Sequence, residues 1–225
     1  MFSGTKKTRL LTVLVAVAAL ALAASACGIS VAEDGPHAVG SRPVAGFDRI
    51  AVRGSTEVIV EHGARPTLRV EGGANRVDDL QTFVEGHTLV VEREDTSGTI
   101  DIGGDPAWVI ARVPRVDAVR IDGSAEVVLR DLRDAELAAS INGSGEVRAA
   151  GQVDRLRLRI DGSGSLRTAA LRADDAAVAI SGSGSAEIGD TERLDAEIHG
   201  SGDVSYAGDP AVTEDISGSG RIEHR

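Results

Sequence analysis

An all-β chain wound as a single-stranded right-handed parallel β-helix, or β-solenoid, with about 18–20 residues per rung and Gly-Ser-Gly corners, is the fold predicted by three observations. The first is a short motif repeated six times, at Ile121–Val127, Ile141–Val147, Ile160–Leu166, Ile180–Ala186, Ile198–Val204 and Ile216–Ile222. The second is spacing: the leading isoleucines lie 20, 19, 20, 18 and 18 residues apart, a period typical of stacked solenoid rungs. The third is alternation of apolar and polar residues on both sides of the motif, the period of two that marks a half-buried strand. A right hand agrees with the general preference of crossovers between parallel strands.

Each part of the repeat has a physical reason. From the leading Ile to the closing apolar residue the distance is six in every copy, so one corner is invariant and the return side absorbs the length variation. Before the corner, Leu137, Ala139 and Ile141, Leu156, Leu158 and Ile160, and Leu194, Ala196 and Ile198 alternate inward. The residues between them, such as Arg157, Arg159, Asp195 and Glu197, face water. Glycine at the first corner position, Gly123, Gly143, Gly162, Gly182, Gly200 and Gly218, suits backbone angles that a Cβ obstructs. The second position is Gly in five copies but Ala125 in the first, so no left-handed conformation is expected there. With rungs about 4.8 Å apart, Ser124, Ser144, Ser163, Ser183, Ser201 and Ser219 should stack as a hydroxyl ladder with a structural role. None lies in a G-x-S-x-G elbow, so nothing supports a nucleophilic serine.

Upstream, Val52–Val58 is a weaker seventh copy with the same spacing of six. Alternating stretches at Thr67–Glu71, Thr82–Glu85, Thr88–Arg93 and Trp108–Val113 read as strands with hairpin-like turns between them. Residues 75–82 and 131–138 are helical alternatives, neither compelling. Residues 44–225 are expected to form one domain, with 44–115 as irregular first rungs or cap and 116–225 as the six-repeat array.

Residues 1–26 are expected to be a lipoprotein signal peptide. Lys6, Lys7 and Arg9 precede an apolar run from Val13 to Ala24, and the segment ends Ala24-Ser25-Ala26-Cys27. Such motifs usually carry Leu where Ala24 stands, with Leu22 two residues further back, which leaves a plain secretory signal as the alternative. The run is short for a retained membrane helix. Cys27 is the only cysteine, so lipidation accounts for it and disulfides are excluded. Residues 27–43, with Gly35-Pro36, Gly40 and Pro43, read as the lipidated Cys and a flexible tether.

Charge and composition narrow the partners. Without residues 1–26 the chain has 21 basic and 35 acidic residues, a net charge of −14. That surface repels phosphate backbones and anionic headgroups, so no nucleic acid partner is expected and membrane contact should come through the lipid on Cys27. The five histidines are scattered without i, i+4 pairing and no cysteine partners them, so no zinc site or other metal and no cofactor is expected. The calcium-binding nonapeptide of other β-rolls is missing, although Asp122 and Asp161 could hold calcium loosely. Aromatics are few, which argues against a deep sugar pocket, and Trp108 is expected as a core or cap residue rather than a sugar platform.

The stretch Phe47–Ile50 leading into Val52-Arg-Gly-Ser, then Leu68–Gly72, Leu89–Val91, the approach through Pro114 and the reiterated Ile-x-Gly-Ser-Gly resembles the putative auto-transporter adhesin, head GIN domain family, over residues 44–225. The resemblance implies a right-handed β-solenoid on an exported, often lipid-anchored bacterial protein. It transfers no catalytic residue.

Two function classes compete. A non-enzymatic structural, adhesion or binding module at the cell envelope, with an envelope protein or glycan as ligand, fits a regular array without a convergent polar site. The alternative is a carbohydrate-active β-helix enzyme, pectin-lyase-like or a glycosidase. Asp122 and Asp161 would then lie two rungs apart, about 9.6 Å, near the upper limit for an inverting pair. Their column continues as Ser181, His199 and Ser217, as expected of a turn under no catalytic constraint. The last rung invites self-association, filamentous if head to tail and closed if tail to tail. The charges of Arg221, Glu223, His224 and Arg225 discourage uncontrolled pairing there.

Overall fold

The computed structural model describes residues 35–93 and 106–225, and the signal-peptide and lipidation expectations lie outside them. Strands account for most of the described chain: β1 (His37–Arg42), β2 (Arg49–Gly54), β3 (Glu57–His62), β4 (Thr67–Gly73), β5 (Leu80–Glu85), β6 (Thr88–Arg93), β7 (Trp108–Val113) and β8 (Ala118–Gly123) form its first half. β9 (Glu126–Gly143), β10 (Glu146–Gly162), β11 (Ser165–Gly182), β12 (Ser185–Asp190), β13 (Arg193–Gly200), β14 (Asp203–Ala207), β15 (Ala211–Gly218) and β16 (Arg221–His224) form the array. One short helix, α1 (Ala74–Asp79), separates β4 from β5.

The array is the predicted solenoid. β8 through β16 pair in parallel, rung on rung, and the leading isoleucines align as Ile121, Ile141, Ile160, Ile180, Ile198 and Ile216. After the corner Val127, Val147, Leu166, Ala186, Val204 and Ile222 form a second inner column. Ile121 to Ile198 and Val127 to Val204 of these columns lie in one continuous core, while the last rung's Ile222 is partly buried and its Ile216 exposed, and burial of the core side chains is the main stabilising term. Approach and corner hold unbroken register, while shifts fall on the return side, at 148–151 and 188–190. The length variation is therefore absorbed where the sequence places it.

Backbone hydrogen bonds run across the corner as well as along the strands. Each corner serine N–H donates to the first corner glycine of the preceding rung, from Ser124 to Gly54 O (2.8 Å) through Ser219 to Gly200 O (2.8 Å). The serine hydroxyls are exposed, and the hydroxyl-to-hydroxyl bond lies two residues along, where Ser185 Oγ donates to Ser165 Oγ at 3.2 Å. The ladder expected of the corner hydroxyls is thus carried by the main chain.

The two glycine columns have different causes. The first has positive φ throughout the array. The second, from Gly145 to Gly220, does not; there an isoleucine Cγ2 of the rung before stands 2.6–2.8 Å from where a Cβ would be. Ala125, at the head of this column, follows a rung that carries Val52 rather than Ile. The expectation that no left-handed residue is needed there holds, and close stacking is what selects glycine.

The N-terminal part departs from a run of irregular rungs. β2 and β3 are a regular rung in register with the array, Val52 beside Ile121 and Gly54 beside Gly123. β6 and β7 then stack on the far side of that rung, parallel to β2 and β3. Antiparallel strands close this end: β5 on β6 through the two-residue turn Gly86-His87, β4 on β7, and β1 on β4.

Two sequence expectations are corrected here. Residues 37–42 belong to a sheet rather than a tether, because β1 pairs with β4 along its length. Its Arg42 donates to Leu80 O, to Val77 O (2.7 Å) and to Thr82 Oγ1 (3.0 Å), which pins the strand to α1 and β5. Of the helical alternatives, residues 74–79 form α1 around buried Val77, and the remainder of 75–82 is strand. Residues 131–138 are strand within β9.

Candidate functional site

Period-two alternation leaves two outer faces, one before the corner and one after it. On the face before the corner the charged residues neutralise one another. Arg120 makes two hydrogen bonds to Asp122, at 2.7 and 2.8 Å, and Arg159 makes two to Asp161, at 2.8 and 2.9 Å. In both cases the partners are two residues apart on one strand and so share a face. Asn142 adds a longer contact to Asp122 at 3.4 Å.

Asp122 and Asp161 do stand two rungs apart in one column, separated by Asn142, as the sequence predicts. Their chemistry differs from a catalytic pair. The Arg120 guanidinium holds the Asp122 carboxyl below the usual carboxylate range, the opposite of what a general acid needs. The column continues as Ser181, His199 and Ser217, and His199 Nε2 meets Glu197 Oε1 at 2.6 Å.

Further back on the same face, a shallow hollow of about 400 Å³ is lined by Arg155, Arg157, Asp175, Ala177 and Arg193, among others. Arg155 and Arg157 pair with Glu136, and Arg193 pairs with Asp175. The opposite signs balance across adjacent rungs. Burial pushes the Asp134 carboxyl upward; this group accepts the Val116 N–H at 3.3 Å and borders both a void of about 10 Å³ and a hollow of about 680 Å³ lined by Asp131, Arg133, Gln152 and Asp154, among others. Among the described residues no three His, Cys, Asp or Glu side chains are grouped to hold a metal ion.

The outer face after the corner is different near the N-terminal end. Trp108 opens β7 beside buried Val109 and therefore points outward, half-buried, with the His37 ring 5.9 Å away at 40°. Its register neighbours are Glu71 on β4 and Glu57 on β3. In the adjoining outward row Ile110, Ile59 and Val128 stand side by side, all half-buried. Arg148 follows next in that row and pairs with Glu126 at 3.5 Å. Trp108 thus belongs to the cap region but not to the core, and it heads an apolar patch on an otherwise charged face. Ile59, Ile110 and Val128 each sit out of phase with the inward residues of their strands, a sequence signal that would have located the patch.

The corner glycines align rung on rung, and each corner serine N–H donates to the first corner glycine carbonyl of the rung before. Cys27 lies outside the described residues.

This architecture is a β-solenoid with self-neutralised carboxylates and a small outward aromatic patch. The chain belongs to the family described as putative auto-transporter adhesin, head GIN domain, whose model matches residues 46–210. Several solved structures share the fold, among them the following three. A putative adhesin from Bacteroides fragilis aligns with TM-score 0.65 at 19% identity, covering 84% of this chain and 97% of that one. A putative adhesin from Parabacteroides distasonis gives 0.56 at 18%, covering 87% and 99%. A putative lipid binding protein from Parabacteroides distasonis gives 0.51 at 23%, covering 86% and 98%. No curated protein matches the chain in sequence.

Proposed function

We propose that this protein is a non-enzymatic binding module of the bacterial cell envelope, anchored by a lipid on Cys27, that holds an envelope glycan or protein against its outer face. Membership of an adhesin-like family supports an exported envelope protein. Among the described residues no helix is long and apolar enough to cross a membrane, so on this reading the anchor is supplied before residue 35. The observation that carries the binding role is the contrast between two faces. Asp122 and Asp161, the carboxylates that share one outer column, are each held by an arginine of their own strand, whereas Trp108, Ile59, Ile110 and Val128 are half-buried on the other face. A partly exposed aromatic with aliphatic neighbours and flanking carboxylates combines apolar contact with hydrogen-bond acceptors, the mixture on which binding sites are built.

Two variants test this reading. Trp108→Ala should weaken retention on purified envelope polysaccharide or envelope protein roughly tenfold, since a central aromatic is the type of residue that dominates an interface. Arg159→Ala, on the other sheet, should leave retention unchanged. Equal retention by all three proteins on every envelope fraction that binds the parent would remove the patch from the account. Separately, Cys27→Ser should move the protein from the membrane fraction to the soluble one. Persistent tight membrane association of that variant would mean that the apolar run before Cys27 is retained as the anchor.

A further inference from the structure

The C-terminal end of the stack is built differently from its N-terminal end. Among the described residues β15 pairs only with β13 and β16 only with β14, so within them both strands present an unpaired edge. The isoleucine column ends in Ile216, 40% exposed, although its counterparts Ile121, Ile141, Ile160, Ile180 and Ile198 are 0–1% exposed. Val212 and Ile222 are only partly buried against the core. This rung has a complete corner, and no strand among the described residues pairs with its outer side.

Two inner positions on this rung are polar. The column Val119, Ala139, Leu158, Val178, Ala196 ends in Glu214. On the facing sheet Ile188 and Tyr206 are followed by His224, whose ring packs edge-on to Tyr206 at 5.5 Å and whose Nε2 meets Gly208 O at 2.8 Å. An inward charge on an edge strand opposes indiscriminate sheet extension. It also requires that any partner bring a counter-charge to the same place.

We propose that this rung is an isologous interface for a second copy of the chain, meeting it tail to tail about a twofold axis that runs along the strand direction. Such an axis exchanges the two sheets and lays corner on corner. β15 runs toward the corner and β16 away from it, so β15 of one chain lies antiparallel to the partner's β16 and the free backbone groups of both are satisfied. The register follows from the repeat. Ile216 and Ile222 are the inward residues flanking the corner, so Ile216 faces the partner's Ile222 and, two residues further back, Glu214 faces the partner's His224.

The outward residues also match. Ser217 lies opposite the partner's Arg221, and Thr213 opposite the partner's Arg225. Asp215 lies opposite the partner's Glu223 but has the partner's Arg221 and Arg225 on its two diagonals, within reach of long side chains. Pairing β15 with the partner's β15 instead leaves Glu214 against its own copy or against an aliphatic side chain, Val212 or Ile216. The charge pattern therefore selects one of the two closed arrangements.

In the selected arrangement Ser219 lies on the twofold axis, next to the partner's Ser219. A disulfide needs Cα atoms within about 7 Å. Ser201, one rung inward, is separated from its copy by two further rung spacings, about 9.6 Å more. The full chain carrying Ser219→Cys should therefore form a covalent dimer under mild oxidation, on non-reducing gels, at more than ten times the yield of the Ser201→Cys chain or of the parent, which retains Cys27. Adding Ile216→Asp to Ser219→Cys should reduce that yield at least tenfold, because it places a charge on the apolar contact. Ile216 is exposed in the single chain, so circular dichroism of this variant should match the parent. A purely monomeric Ser219→Cys chain with parental circular dichroism would overturn the proposal. So would equal cross-linking of Ser201→Cys, which signals random collision, or covalent species whose yield ignores Ile216→Asp.

Discussion

Replacing Ile160 with Asp is expected to unfold the middle of the stack. Ile160 is fully buried and lies between Ile141 and Ile180 in the inner column, with no polar partner for a carboxylate. An unpaired charge in such a place costs about 3–5 kcal/mol, and loss of the side chain's own burial adds to it. A total of that size is a large fraction of the ~5–15 kcal/mol that holds a domain together. Because each rung contacts only its neighbours, damage at a central rung uncouples the two halves of the array. Arg159→Ala, one residue away, removes an exposed ion pair with Asp161 and should cost about 0–1 kcal/mol. Denaturant midpoints of the two variants measure the difference directly. Similar losses at the two positions would mean that the strand faces the other way.

Gly162→Ala should be nearly as damaging, although it adds only a methyl group. Gly162 has φ of +132°, and a Cβ there would come closer than 3.0 Å to the Gly143 carbonyl oxygen. That oxygen cannot retreat, since it accepts the Ser163 N–H at 2.9 Å. Backbone strain of about 1–3 kcal/mol is therefore joined by loss of the corner ladder between two rungs. Gly46→Ala, where a Cβ meets nothing within 4 Å, should change stability by no more than about 0.5 kcal/mol. The comparison separates the effect of this corner from the general effect of adding a methyl group. A Gly162→Ala chain as stable as the parent would show that the rungs can move apart at the corner.

The array was legible because its signals repeat. An isoleucine column, a glycine at each corner and a constant spacing of six survive loss of any one copy, and together they specify parallel stacking in register. The cap was less legible for a physical reason. Alternation marks Thr67–Glu71 and Thr82–Glu85 as strands but says nothing about their direction, and antiparallel closure by β4 and β5 has the same period as another rung. Nor does spacing disclose that β6 and β7 stack outside β2 and β3, an inversion of chain order that appears only in the pairings. Residues 37–42 resembled a tether because Gly40 and Pro43 weaken any strand signal, while the bonds that fix Arg42 come from residues 35 to 40 positions away.

At the site, strand phase proved more informative than residue type. Asp122 and Asp161 stood out as carboxylates, yet Arg120 and Arg159 two residues earlier lie on the same face and already signal neutralisation. Residue type alone places Trp108 in the core or the cap, and the inward phase of its neighbour Val109 decides between them, putting Trp108 on the outer surface of the cap region. Within Val212-Thr213-Glu214-Asp215-Ile216 the inward phase set by Val212 and Ile216 makes Glu214 the one charged residue on that side.

The choice between binding and catalysis is tested most directly by polysaccharide chain length. The protein would be incubated with purified envelope and plant polysaccharides, and retention and size distribution followed on the same samples. Undiminished chain length in every sample, whether or not the polymer is retained, is the expected result. Shortening by the parent that disappears in Asp122→Asn or Asp161→Asn would contradict the account and make that carboxylate column an active site.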